Sequence, residues 1–179
     1  GITRTGGNTA IPADGMVFSF GSKAFANNDA GLRRLTNGRQ EIRFEIRIVS
    51  PDKDDIFKFA ESEDIVAGVP LLIRDGKINI TWEQEKASRA FAENRHPRTA
   101  IAKMRDERIL LITVDGRQPG VSHGMTLREL AEFLISLGAV DAMNLDGGGS
   151  TTMFVDGKVV NTPSDAGGER KVSDAIIVT

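Results

Sequence analysis

Three consecutive glycines, Gly147, Gly148 and Gly149, interrupt a stretch that otherwise reads as strand. Each glycine loses more backbone entropy on folding than any other residue. Such a run persists where the chain needs φ > 0, or where another group comes against bare backbone. A short apolar run, residues 141–145, precedes it, and a second strand-like run, residues 151–155, follows. Asp146 therefore sits at a strand exit, and residues 147–150 turn the chain sharply. Successive N–H groups in such a turn can face one concavity and bind an anion. An isolated Gly-Gly-Gly is more simply a tight β-turn with a bulge, but a carboxylate beside the turn favours a site.

The flanking sequence frames this turn with further strands. A hairpin is expected at residues 69–81 over Asp75-Gly76, a dipeptide suited to a two-residue turn. Residues 99–104 and 108–114 form a second expected pair around Asp106-Glu107, and residues 151–155 and 158–161 a third over Asp156-Gly157. Residues 172–179 read as a final strand. Ile42, Phe44, Ile46 and Ile48 alternate with charged residues, the pattern of a half-buried strand. Residues 21–35 have room for a helix, and residues 82–94 read as a surface segment with some helix. The clearest helix is expected at residues 127–137. Thr126 and Glu129 form a capping box, Leu127, Leu130, Ala131, Leu134 and Leu137 recur at helical spacing, and Gly138 supplies the stop. Repeated βαβ crossovers are not evident. The expected class is α+β: a mixed, mostly antiparallel β-sheet with few helices, in a single domain.

The 179 residues suffice for one domain with a sizeable core. A formal net charge of −2 gives no reason to expect a nucleic-acid partner, and no run approaches the apolar length of a membrane span. With no cysteine, disulfide and thiolate chemistry are excluded. No signal peptide is visible, and the abrupt start reads as a mature form or a piece of a longer chain.

Three carboxylates, Asp115, Asp146 and Glu169, fall at strand ends or in loops, with Arg98, Arg117 and Arg170 nearby. Functional groups concentrate on such loops over a rigid sheet. Arginine binds phosphate bidentately, and carboxylates serve as acid, base or nucleophile on glycosides. The expected ligand is a sugar phosphate. The competing explanation for each pair is a structural ion pair. His96 and His123 lack metal-ligand spacing. His123 and Ser122 lie in the loop before the capped helix, where they can face the site. Ca²⁺ or Mg²⁺ held by Asp146 and Asp115 ranks below a metal-free, cofactor-free site.

Several motifs in order resemble one family. They are Arg95-His96-Pro97-Arg98-Thr99-Ala100, Val114-Asp115-Gly116-Arg117, the segment from Ser122 through the capped helix, Asn144-Leu145-Asp146-Gly147-Gly148-Gly149-Ser150-Thr151-Thr152-Met153, Asn161-Thr162-Pro163-Ser164, and Glu169-Arg170-Lys171-Val172-Ser173-Asp174. Together they resemble the phosphodiester glycosidase family, strongly over residues 95–179 and more loosely over residues 2–77. The family's upstream Gly-Phe-Phe-Asn-like block has no counterpart here. The resemblance therefore implies one domain, residues 1–179, lacking an N-terminal part that another stretch of its own chain would supply.

The resemblance implies hydrolysis of the bond between a sugar's anomeric carbon and a phosphodiester oxygen, and a secreted, periplasmic or cell-surface protein of carbohydrate or exopolysaccharide metabolism. Asp146, Asp115 and Glu169 are the expected catalytic carboxylates, with Arg170 orienting Glu169. Arg98, Thr99, Arg117, Arg170, Thr151 and the amides of Gly147, Gly148, Gly149 and Ser150 are the expected phosphate and substrate contacts. The partner is a sugar-phosphate or glycan substrate. A metal-dependent phosphodiesterase cutting P–O, or a non-catalytic cell-wall or exopolysaccharide-binding module, are the alternatives.

Overall fold

The leucine stripe on the capped helix needs a flat apolar surface to cover, and the strands provide one. The computed structural model describes residues 65–179, with positions 10, 11, 13, 14 and 17 in isolation. The alternating strand around residues 42–48 and the helix expected at residues 21–35 lie outside the described residues. Residues 64–179 form one compact unit.

Within it run β1 (Leu71–Arg74), β2 (Lys77–Ile78), α1 (Arg89–Glu93), β3 (Arg98–Met104), β4 (Ile109–Val114), α2 (Leu127–Ser136) and β5 (Ala139–Asn144). A 3₁₀ turn, Gly148–Ser150, and the strands β6 (Phe154–Val155) and β7 (Lys158–Val159) follow. Five strands make one sheet in the order β2-β1-β5-β3-β4, with β6 and β7 paired separately. Every ladder is antiparallel. The fold is α+β, as the hairpin signals and the single strong helix imply.

The β1–β2 turn places Asp75 and Gly76 at φ of 52° and 71°, the left-handed pair that a two-residue hairpin requires. The β3–β4 hairpin pairs Arg98 with Val114 and Lys103 with Ile109. Its turn is closed by Asp106, whose carboxylate accepts from Arg108 Nε at 2.8 Å.

Helix α2 packs on β5, β1 and β2. Its Leu127, Leu130, Ala131 and Leu134 are buried together with Leu72 and with Ala100, Ala102 and Ala142 of the central strands. The alanines keep the sheet surface low, so the leucines lie close to the backbone and fill the space. Helix α1 also contacts α2.

The capping box forms as expected. Thr126 Oγ1 accepts from Glu129 N at 3.1 Å, and Glu129 Oε2 accepts from Thr126 N at 2.9 Å. Gly138 takes φ +95° just after the helix.

Two strand expectations change. Residues 151–152 leave the ladder, with the Thr151 side chain buried; Met153 O still accepts from Val160 N at 2.9 Å, while Met153 N donates to Asn161 Oδ1 at 2.7 Å. Only Phe154–Val155 and Lys158–Val159 pair. Residues 172–179 pair with no strand among the described residues, and Ile177 and Val178 are 78% and 81% exposed. Apolar composition alone does not make a strand without a neighbouring edge.

Two measurements test this packing. Leu134→Ala should lower unfolding free energy by about 2–5 kcal/mol in urea titration. Glu129 is held down to about 2 by Arg95, then by the Thr126 amide. Its contribution is present above the ordinary glutamate value of 4.5 and is lost as pH falls toward about 2. Tm followed across that window should fall less steeply in Glu129→Gln than in the parent.

Candidate active site

Strands β4 and β5 both run antiparallel to β3, which lies between them. The ends of β4 and β5 therefore flank the start of β3. This places Asp115 and Gly116 on one side of His96-Pro97-Arg98, and Asp146 with the glycine turn on the other. Leu145 N donates to Thr99 O at 2.8 Å, and Gly148 N to Pro97 O at 3.0 Å.

Glycine makes this closeness sterically feasible. A Cβ on Gly116 would stand 2.7 Å from Pro97 N, and one on Gly147 2.8 Å from Pro97 O. One on Gly124, at φ +89°, would stand 2.3 Å from His96 O. His96 and Met125 meanwhile exchange backbone hydrogen bonds of 3.2 and 3.0 Å.

Arg98 is 1% exposed. Its Nε donates to Met125 O at 2.9 Å, and its Nη2 to Phe91 O at 2.7 Å and Asn94 O at 3.0 Å. The guanidinium also lies 4.9 Å from the Phe91 ring centre. Burial and then the Arg117 charge push its pKa down to about 10, which leaves it charged at neutral pH. Arg98 thus faces inward and ties α1 to the loop before α2, where a cation satisfies carbonyls at the end of a helix. That geometry is at odds with the phosphate contact expected of it. Thr99, beside it, points the other way, with Oγ1 3.4 Å from Thr151 Oγ1.

Asp115 is committed to the chain. Its carboxylate accepts from Asn161 Nδ2 at 3.0 Å and from Thr162 N at 3.0 and 3.1 Å. Ser122 Oγ donates to the Asp115 carbonyl, and Gln118 Nε2 to Thr162 O at 2.7 Å. The loop after β4 is stitched to the segment after β7 through these bonds.

Asp146 is exposed and accepts from the Gly147 amide at 2.9 Å. The expected amide nest is largely occupied. Besides the Gly147 and Gly148 bonds above, Ser150 N donates to Gly147 O and Thr151 N to Gly148 O, each at 3.2 Å. The Gly149 amide carries no such bond among those of the described residues.

Arg117, exposed at φ +59°, stands over the turn. Its guanidinium atoms lie 3.2–3.5 Å from where a Gly148 Cβ would be. It also borders an open depression of about 600 Å³ shared with Glu93, Asn94, Arg95 and His123.

The expected pairing of Arg170 with Glu169 is replaced by one with Asp165. Arg170 Nε and Nη2 donate to the Asp165 carboxylate at 2.8 and 3.0 Å. This pair lies against Gly149, where a Cβ would meet Asp165 Oδ1 at 2.2 Å. The nearby Asp146 charge further favours the Arg170 cation. Glu169 is exposed. Among the described residues no group of three His, Asp or Glu side chains is gathered to hold a metal ion.

His96, Asn161, Thr162 and Asp165 were not among the residues expected at the site. Asn161 and Thr162 stood in a recognised motif, and Asp165 lay five residues from Arg170. The sequence carried no signal of which groups these would touch.

The α+β frame gathers carboxylates and guanidinium groups at one end of its central strands. The sequence profile of the phosphodiester glycosidase family matches residues 1–179, and the chain belongs to that family. It is 31% identical over 183 residues to the N-acetylglucosamine-1-phosphodiester alpha-N-acetylglucosaminidase of Bos taurus, covering 90% of this chain and 34% of that protein. The Mus musculus enzyme of the same name is 36% identical over 186 residues, covering 88% and 35%. Among solved structures, it is similar to the zebrafish catalytic domain of that name, auto-inhibited by its pro-peptide. That match has a TM-score of 0.50 and 33% identity, over 56% of this chain and 35% of the other. The chain spans about a third of the length of these curated relatives. No helix among the described residues is long and apolar enough to cross a membrane.

Removing the Arg98 donors strands three carbonyls. Arg98→Met should therefore cost about 3 kcal/mol in denaturant unfolding. Gly124→Ala should be destabilising by at least about 1 kcal/mol, since both its φ and its contact with His96 O oppose a side chain.

Proposed function

We propose that this chain carries the catalytic centre of a hydrolase that cleaves the bond between a sugar's anomeric carbon and a phosphodiester oxygen. The observation that carries this reading is the convergence of Asp146, Arg117 and the Arg170–Asp165 pair on one glycine turn. Family membership and the names of the relatives support the same reaction class.

The chemistry suits these groups. A phosphate leaving from the anomeric carbon is already a stable anion, so little proton donation is needed at the departing oxygen. The demand is to neutralise the phosphate and to stabilise an oxocarbenium-like centre. Arg117 is assigned to the phosphate, because its guanidinium borders the turn and is exposed to a ligand. Asp146 is assigned as nucleophile or base, since most of its lone pairs remain available. Asp115 is reassigned from catalysis to holding the Asn161–Thr162 segment in place. Glu169 stays a candidate that enters only if its loop brings it to the ligand. Arg98 acts from below, by fixing the start of β3. By family resemblance, the chain's setting is secreted, periplasmic or cell-surface carbohydrate metabolism.

Hydrolysis of a sugar-1-phosphodiester in ¹⁸O-water tests the bond that breaks. Label in the sugar is expected, whereas label in the phosphate would establish P–O cleavage instead. Asp146→Asn should lower kcat by roughly 10²–10⁴-fold with little change in Tm. Near-parent turnover in that variant would remove Asp146 from the mechanism.

A further inference from the structure

His96 is half-buried beside the turn, and the reaction as described leaves it unused. Its Nδ1 lies 3.3 Å from Arg117 Nη2. A guanidinium has only donors, so Nδ1 must be the acceptor, and the ring proton must sit on Nε2. The Ala90 carbonyl of α1 also acts on the ring, favouring its protonated form. The backbone of His96 is itself paired with Met125, and the bare face of Gly124 lies against it. The Gly124–Met125 segment and Arg117 therefore meet on His96, the first at its backbone and the second at its ring.

We infer that His96 is a positioning residue: its neutral Nδ1 holds the Arg117 guanidinium above Gly148, in place to take a phosphate oxygen. The inference rests on the phosphate role assigned above to Arg117. Without the imidazole, an exposed arginine in solvent samples many rotamers, and ordering it on binding costs entropy. With it, one Nη2 hydrogen is spent on His96, and the remaining donors stay available to an anion.

The arrangement is sensitive to protonation. The charged groups acting on the ring are Arg98 from β3 and Arg117 from the loop after β4. Helix α1 presents the Ala90 carbonyl, the Gly124–Met125 segment presents backbone, and the neighbouring Arg95 is paired with Glu129. Burial first, then the two arginines, lower the His96 pKa below 6.5, so the ring is neutral at neutral pH. A proton added to Nδ1 at lower pH removes the acceptor and sets a cation against Arg117. The hold on Arg117 is then present above the His96 pKa and lost below it.

The test compares the parent with His96→Asn and His96→Leu, each confirmed folded by Tm. Asn places an amide oxygen near the Nδ1 position and does not titrate, whereas Leu offers no acceptor. Against a sugar-1-phosphodiester, His96→Leu should raise KM roughly tenfold, with a smaller change in kcat. His96→Asn should recover part of that loss. The parent's kcat/KM should fall on the acid side, and that limb should disappear in His96→Asn. An acid limb unchanged in His96→Asn would overturn the inference, as would a KM unchanged in His96→Leu. A purely structural histidine would move Tm alone.

Nitrogen-15 spectra of the parent imidazole supply a readout independent of turnover. A neutral ring protonated at Nε2 supports the inference, and one protonated at Nδ1 overturns it. Inorganic phosphate, titrated across the same pH range, separates the two readings. Phosphate affinity that falls with His96 protonation in the parent but not in His96→Asn, without diester turnover, would retain the His96 role and remove the hydrolase reading. Turnover without that pH dependence would do the reverse.

Discussion

The whole arrangement depends on how tightly three stretches of chain, two of them in the β4–α2 connection, close around Pro97. The loop after β4, the segment before α2 and the turn after β5 each approach the start of β3 backbone to backbone, at Gly116, Gly124 and Gly147. A single methyl group at any of these positions would sit within 3 Å of the His96 or Pro97 main chain. Glycine is expensive in backbone entropy, and here the cost is offset by hydrogen bonds that such closeness makes available. Gly148 N reaches Pro97 O, and His96 pairs with Met125. The strand ends are thereby held close around the start of β3.

Arg98 secures that arrangement from below. Its buried guanidinium gathers carbonyls from α1 and from the residue preceding the α2 cap. A buried charge is tolerated only when its donors are satisfied, and three carbonyls and an aromatic face meet that demand. The division of labour between the two arginines is a matter of burial. Arg98 is enclosed and structural, while Arg117 is exposed, at a strained φ, and oriented by an imidazole. A non-glycine residue in the left-handed region is the kind of local strain that accumulates at functional sites.

The acidic residues divide in a similar way. Asp115 spends its oxygens on Asn161 and Thr162, joining the β4 end to the segment beyond β7. Asp146 keeps an exposed carboxylate at the end of β5, on the other side of β3. Asp165 and Arg170 close over Gly149. Two aspartates that look equivalent in sequence, each at a strand exit and followed by glycine, thus have different work. The number of N–H groups that the fold brings to each carboxylate decides which.

The sequence by itself determined the local elements of the described region. The capping box, the leucine stripe and Gly138 specify α2, because caps and helical periodicity act over a few residues. The Asp75-Gly76, Asp106-Glu107 and Asp156-Gly157 turns specify hairpins for the same reason, and with them the antiparallel character. That the exits of β4 and β5 meet was not legible: antiparallel neighbours end at opposite edges, and only the order β5-β3-β4 brings those two exits to the same end. Only the tertiary structure decided which partner each polar group takes. It turned Arg98 inward, paired Arg170 with Asp165 instead of Glu169, consumed most of the glycine-turn amides and left residues 172–179 unpaired among the described residues. The inward turn of Arg98 and the commitment of Asp115 depend on contacts between residues far apart in the chain, Arg98 with Met125 and Asp115 with Thr162. A hydrogen bond is formed by distance and angle in space, and residue spacing along the chain carries neither.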